Sequence, residues 1–344
     1  MAFFHDGDSS CPNSMTKPQM FKSPDRAQLF NRVPSQREKR IGDLLKEETM
    51  SPLRQKAFKS VLSLVLALFV LGPVIADDNQ QQYVERFEKS VAVPANGSVS
   101  LHNIAGDIEI VTWGRGEVRI EAMKVSRAAT VEQARENADL VTIEVTAEGN
   151  GVDITTEYPK GRHRNLNVAV EYKLTVPEPA SVETGSVSGN IRLTGLRGNA
   201  RLNSVSGTVQ ADQVGGELKA NSVSGDVRAS EISQEASCES VSGDVEIRGV
   251  GGETRAKSVS GDVTVEQSDG PVSVESMSGD VKVIEAGAAG LDIDASTFSG
   301  NIKSDFNLRQ GGGDHDKHMR GAVNGGGKAL KARSFSGTVS LSRK

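Results

Sequence analysis

A chain of 344 residues has room for one large domain or two ordinary ones, and 36 glycines against 4% aromatic residues describe a fold of turns and small side chains rather than bulky core anchors. A formal net charge of −5 excludes a basic nucleic-acid binder on electrostatic grounds. Two cysteines far apart in sequence, Cys11 and Cys238, exclude a disulfide scaffold and a cysteine-built metal site.

Residues 1–49 are polar, contain proline and show no hydrophobic period. They read as a disordered extension or a misassigned start, with translation beginning at Met50. Residues 50–76 read as a secretory signal. Arg54, Lys56 and Lys59 precede the apolar run Val61–Val74, Gly72 and Pro73 break it, and Val74-Ile75-Ala76 places small residues before a cut after Ala76. The run of 14 residues is short of the roughly 20 that span a bilayer as a helix. An uncleaved anchor is the alternative, and it is the one contact with a membrane this reading allows. Either way the positive flank places the remainder outside the cytoplasm, in the periplasm or at the cell surface. Without residues 1–76 the chain holds 29 basic and 38 acidic residues, a net of −9, which argues against adsorption to anionic lipid or nucleic acid.

Residues 77–180 form a β-rich N-terminal part. Glu117–Val125, Val141–Val145, Val152–Thr156 and Leu166–Val176 read as strands. Thr130–Leu140 has helical spacing, with Thr130 as cap and Val131, Ala134 and Ala138 on one face. Asn103-Ile-Ala-Gly-Asp-Ile has the form of a degenerate copy of the repeat that follows, and Pro177 and Pro179 mark the passage into it.

From residue 181 to 344 the chain is repetitive. Ser-x-Ser-Gly recurs with its second serine at Ser188, Ser206, Ser224, Ser242, Ser260 and Ser278, every interval being 18, and looser copies stand at Ser299 and Ser336. Gly189-Asn-Ile-Arg-Leu and Gly198-Asn-Ala-Arg-Leu, nine residues apart, show that each unit holds two short strands. Apolar and polar residues alternate within them, as Val227 and Ala229 do with Asp226 and Arg228. Units too short to bury their own face must stack. The expected fold is all-β, a parallel β-solenoid (β-helix) of 18-residue rungs, with the N-terminal β-rich segment and its short helix attached. Its interior is Val, Ile, Leu and Ala, Cys238 included as a buried small residue. The glycine after each Ser is expected to supply a corner with φ > 0. Phe298 and Phe335, which replace a repeat valine, are expected in the core. Residues 311–327 read as a Gly-rich insertion in the last rung, a loop or hairpin.

The signal, the short helix, the strand Val168–Pro177 (VAVEYKLTVP) and the tandem S-V-S-G-D-V units together resemble the bacterial putative-adhesin family, a domain of unknown function that forms a β-solenoid in the cell envelope. The resemblance covers about residues 84–344. It implies the fold and the location. Some members stand beside envelope-stress signalling systems, and no catalytic residues are established for the family, so none carries over.

Asp226, Asp244, Asp262 and Asp280 form the most chemical-looking column. Stacked at about 5 Å, they would repel unless a cation such as Ca²⁺ held them or each accepted hydrogen bonds at its corner. Asn190, Thr208, Asn301 and Thr338 at equivalent places favour the turn role. The serine columns offer a polar face for glycan or ice, or they stack to satisfy the corners. Asp314-His315-Asp316-Lys317-His318 is the densest ligand-like cluster, with His315 and His318 as candidate metal ligands. No catalytic residue, cofactor or phosphate loop is read from the chain. These observations describe a non-enzymatic envelope protein for binding or scaffolding, its partner an unidentified envelope protein or glycan. An accessory of envelope-stress signalling and a polysaccharide-acting β-helix enzyme are the alternatives.

Overall fold

The alternating residues build what their period demands, and the computed structural model describes residues 80–160, 166–285, 290–312 and 317–344. The readings for residues 1–76, signal and cut site included, and His315 lie outside the described residues. Among the described residues the strands form two sheets, of 12 and 13 strands. Each regular rung contributes one strand to each sheet, as Ala200–Ser206 and Val209–Val214 do. Pairing is parallel and in register: Ala200 lies opposite Leu218, which lies opposite Ala236, then Thr254, each step being 18 positions. Parallel β-solenoid architecture follows, with both inner faces buried.

Between the sheets, equivalent residues stack into apolar columns. One runs Leu202, Ala220, Cys238, Ala256 and Val274. Another runs Ile191, Val209, Val227, Val245, Val263 and Val281. All are buried. Small and branched side chains suit this interior because successive rungs sit only about 4.8 Å apart. Burial pushes the Cys238 thiol up to about 12, with the Glu239 charge adding to it, so this cysteine is an inert core residue.

At the Ser-Gly corner positive φ is found only in the first copies, at Gly106 and Gly189, and not from Gly207 to Gly279; left-handed backbone recurs instead at a second place in the rungs. Gly195, Gln213, Glu231, Gly249 and Gln267 all have positive φ, and they stand 18 residues apart. Four of them fall late in the second strand, and Gly195 stands directly after its end at Thr194. Within the strand such a residue breaks the alternation, so that Val209, Ala211 and Val214 all point inward. The Ser-Gly glycines are needed for a different reason. A Cβ on Gly225 would lie 2.1 Å from the carbonyl oxygen of Gly207, and one on Gly207 would lie 2.1 Å from that of Gly189. Close approach of rung to rung, rather than φ, excludes side chains at Gly207, Gly225, Gly243, Gly261 and Gly279.

The two ends depart from sequence order. Ser98–Ala105 and Ile108–Trp113 form a true rung, since Asn103 pairs with Ser186 and Ile108 with Ile191. This rung is sandwiched: Gly151–Glu157 and Val168–Pro177 lie on one side and the rung beginning at Ser181 on the other. Antiparallel strands then cover the end. Glu117–Ala128 pairs with Val168–Pro177, Gln81–Ala92 pairs with Glu117–Ala128, and Thr142–Glu148 with Gly151–Glu157. The helix Val131–Asp139 is capped by Thr130, whose hydroxyl accepts from the Gln133 amide at 3.2 Å. Ala134 and Ala138 are buried, whereas Val131 is exposed.

The C-terminal end repeats the inversion. Lys328–Ser334 pairs with Val272–Ser276 on one side and with Leu291–Thr297 on the other. Val339–Arg343 pairs likewise with Val281–Glu285 and Ile302–Ser304. The last segment of the chain is therefore inserted beneath the segment that precedes it. Lys317–Val323 pairs antiparallel with Leu291–Thr297 and with Arg309–Gly312, closing that edge. A buried polar network marks the insertion. Lys328 Nζ lies 2.8 Å from Glu285 Oε2 and also donates to the Ser268 carbonyl, while Ser268 Oγ and Thr254 Oγ1 share a hydrogen bond of 2.9 Å. Burial pushes the Glu285 carboxyl above its usual range, and the Lys328 ammonium lowers it again only in part.

Candidate binding edge

The Ser-Val-Ser-Gly segments stack along one edge of the solenoid, where the chain turns from one sheet to the other. Their backbones pair rung to rung: the Val223 amide donates to the Ser204 carbonyl and the Ser224 amide to the Val205 carbonyl, at 3.2 and 2.9 Å. With the backbone satisfied, the three side chains of each segment take distinct roles. The first serine turns inward. Ser222, Ser240, Ser258 and Ser276 are buried, and each hydroxyl donates to the carbonyl of the glycine one rung below, Gly207, Gly225, Gly243 and Gly261, at 2.9–3.1 Å. Asn103 takes the same place in the first rung and donates to the Val170 carbonyl at 2.9 Å. The second serine points to solvent.

The middle residue is the unexpected one. Val187, Val205, Val223, Val241 and Val259 are 41–48% exposed. The same column continues through Met277, Phe335 and Phe298 at one end, 51–57% exposed, and starts at Ile104, 42% exposed, at the other. Phe298 and Phe335, expected in the core, stand outside it and stack on each other with centroids 4.9 Å apart and planes within 8°. Period-two reasoning placed them wrongly because the corner residue lies beyond the strand's inward face. Beside this apolar ladder runs a groove of about 1160 Å³, with the buried serines as its floor. Its far wall is the column Asn203, Asn221, Glu239, Lys257, Glu275 and Arg333. No sequence motif announced the groove, although the invariable apolar residue between two serines was the available signal.

The aspartate column lies past the corner glycine and is knit into the backbone. Asp226 Oδ1 accepts the Asp244 amide at 3.0 Å, Asp244 that of Asp262 at 2.9 Å, Asp262 that of Asp280 at 2.8 Å, and Asp280 that of Thr338 at 2.7 Å. Asp107 and Asn190 extend the ladder toward the N-terminus. Each carboxylate thus has one oxygen committed to an amide of the next rung, and Asp226 Oδ2 also meets Arg228 at 2.8 Å. His318 lies in the antiparallel strand Lys317–Val323, opposite Gly311 and Ser296, away from this column in the pairing pattern. Among the described residues no group of three or more His, Cys, Asp or Glu side chains is placed to hold a metal ion. Nor is any helix among them long and apolar enough to cross a membrane.

Elsewhere the polar interior is structural. Tyr172 OH and Thr156 Oγ1 are 2.7 Å apart, and burial raises the Tyr172 phenol to about 12 against the lowering effect of that hydrogen bond.

The family model Toastrack DUF4097 matches residues 96–342, and the chain belongs to that family. Among solved structures, the chain resembles a putative adhesin from Bacteroides fragilis at 14% identity, covering 76% of this chain and 97% of that one, with a TM-score of 0.44. A putative lipid binding protein from Parabacteroides distasonis is similar at 14% identity, 76% and 97% coverage and a TM-score of 0.36. A putative cell adhesion protein from Clostridium sporogenes is similar at 12% identity, 76% and 100% coverage and a TM-score of 0.30. Comparison with curated proteins finds no match.

Proposed function

We propose that this protein is a non-enzymatic module of the cell envelope for binding or scaffolding, and that the exposed ladder of the Ser-Val-Ser-Gly edge is its binding surface. The observation that carries this reading is the unbroken apolar column from Ile104 to Phe298. Its exposed area is on the order of 700 Å², above the roughly 300–600 Å² of the largest patch on a typical monomer. Solubility alone would place polar residues there, as it does at the flanking serines. The export signal read in residues 50–76 supports the envelope location. The non-enzymatic reading is supported by the aspartates, whose inner oxygens are engaged by backbone amides rather than aimed into a cleft.

The test uses the full chain and its Val223→Asp and Val241→Asp variants as baits in envelope extracts, with melting temperature as the control for folding. Capture by the wild type that both variants lose is the expected result. Capture unaffected by either change would place the binding surface elsewhere. A glycan-turnover screen with and without calcium should show no product, and turnover would overturn the non-enzymatic reading.

A further inference from the structure

We propose that the occupant of the apolar ladder is a second copy of this chain, laid antiparallel about a two-fold axis that passes between the Val241 and Val259 levels. This rests on the ladder being the binding surface and names what binds there.

Four features of the edge point to that occupant. The first is period. Ladder residues recur once per rung, about every 4.8 Å, whereas an extended peptide presents same-face side chains at about twice 3.3 Å, and a helix has a pitch of about 5.4 Å. A second copy matches the spacing along the whole rod.

The second is taper. In rung order, Val187, Val205, Val223 and Val241 stand on one side of the proposed axis, and Val259, Met277, Phe335 and Phe298 on the other. Reversal sets Val187 against Phe298, Val205 against Phe335 and Val223 against Met277. Small meets large at each of these levels. A parallel arrangement would set Phe on Phe and leave a gap at the valine end.

The third is charge. The same reversal brings Glu239 to Lys257, Asn221 to Glu275 and Asn203 to Arg333, with no like charges opposed within this column. The column also alternates in sign within one copy, where Lys257 Nζ lies 3.5 Å from Glu275. That alternation suits a self-complementary face better than a uniformly charged or wholly apolar ligand. On the other flank small serine side chains meet, and the aspartates Asp226, Asp244, Asp262 and Asp280 stand two residues further on, past the corner glycine.

The fourth is size. An isologous interface of standard size covers about 800 Å² per partner. The ladder alone exposes on the order of 700 Å², and the groove wall makes up the rest. The corner amides of Val223, Ser224, Val241, Ser242, Val259 and Ser260 are already paired between rungs, so docking does not leave them without partners.

Sedimentation velocity on the full chain should give a dimer, and Val223→Asp or Val241→Asp a folded monomer with an unchanged melting curve at high dilution. Glu239→Lys should weaken the dimer roughly tenfold or more, and adding Lys257→Glu should restore it. In a Cys11→Ser background, Val205→Cys and Phe335→Cys chains should form disulfides when mixed, but neither should do so alone. Self-linking of each without mixed linking would overturn the antiparallel arrangement. A monomeric wild type, or a dimer unaffected by the ladder substitutions, overturns the proposal. If that monomer still captures an envelope component through the ladder, the binding reading stands without it; loss of ladder-dependent capture as well removes both.

Discussion

The regular middle of this protein and its two ends solve one packing problem differently. Between residues 181 and 285 rung order is chain order, and every strand finds its partner 18 residues away. At both ends the chain overshoots, lays down an outer layer, and a neighbouring segment slides in beneath it. Ser98–Trp113 is covered by later residues, and Lys328–Arg343 is inserted inside earlier ones. A stack of parallel rungs has open edges that would pair with any strand. Antiparallel strands and a rung taken out of order close them. The middle is thus stabilised by repetition, the ends by specific contacts that occur once.

Substitutions should separate the two regimes. The largest effect is expected at the inserted C-terminal rung. Lys328→Met leaves the buried Glu285 without its cation and should cost about 3–5 kcal/mol at neutral pH, with Glu285→Met in addition recovering most of it. Because burial raises the Glu285 pKa, its favourable contribution is fully present below the unfolded value of 4.5 and is lost as pH rises through the folded one. The Lys328→Met penalty should therefore shrink on acidification, which urea unfolding at several pH values would show. In the middle, Gly225→Ala drives a methyl into the Gly207 carbonyl and should cost about 1–3 kcal/mol. Gly114→Ala near the N-terminal end, where nothing lies within 4 Å, should be close to neutral. Thermal denaturation of the pair measures the difference, and equal effects would mean that rung spacing is not what demands glycine.

Ser240→Ala removes the donor to the Gly225 carbonyl and should cost about 1 kcal/mol, the same as at any equivalent middle rung. A cost that varied widely from rung to rung would break the picture of a uniform middle. The smallest change should be a gain. Glu231 holds a left-handed backbone that Gly249 occupies one rung later, so Glu231→Gly should stabilise by about 0.5–1 kcal/mol, read as a shift in urea midpoint.

Much of the middle was legible because the repeat is short and strict. Spacing alone gave stacked rungs, two strands per unit and a buried Cys238 aligned with Ala220. The aspartate column was legible as a corner feature, though not that each carboxylate would accept the amide of its own counterpart one rung on. The binding edge was not legible. A valine between two serines looks like part of a period-two strand, and only the position of the corner turns it outward, taking Phe298 and Phe335 with it.

The amino-acid sequence by itself determined the parallel stacking, the strand pairing of the middle rungs and the composition of the dry interior, because these depend on residues a fixed interval apart. Tertiary structure alone decided the order of the end rungs, the true reason for the corner glycines and the outward face of the ladder. Those features depend on how close one rung lies to another and on which edges are left open, and neither quantity is local to any stretch of chain.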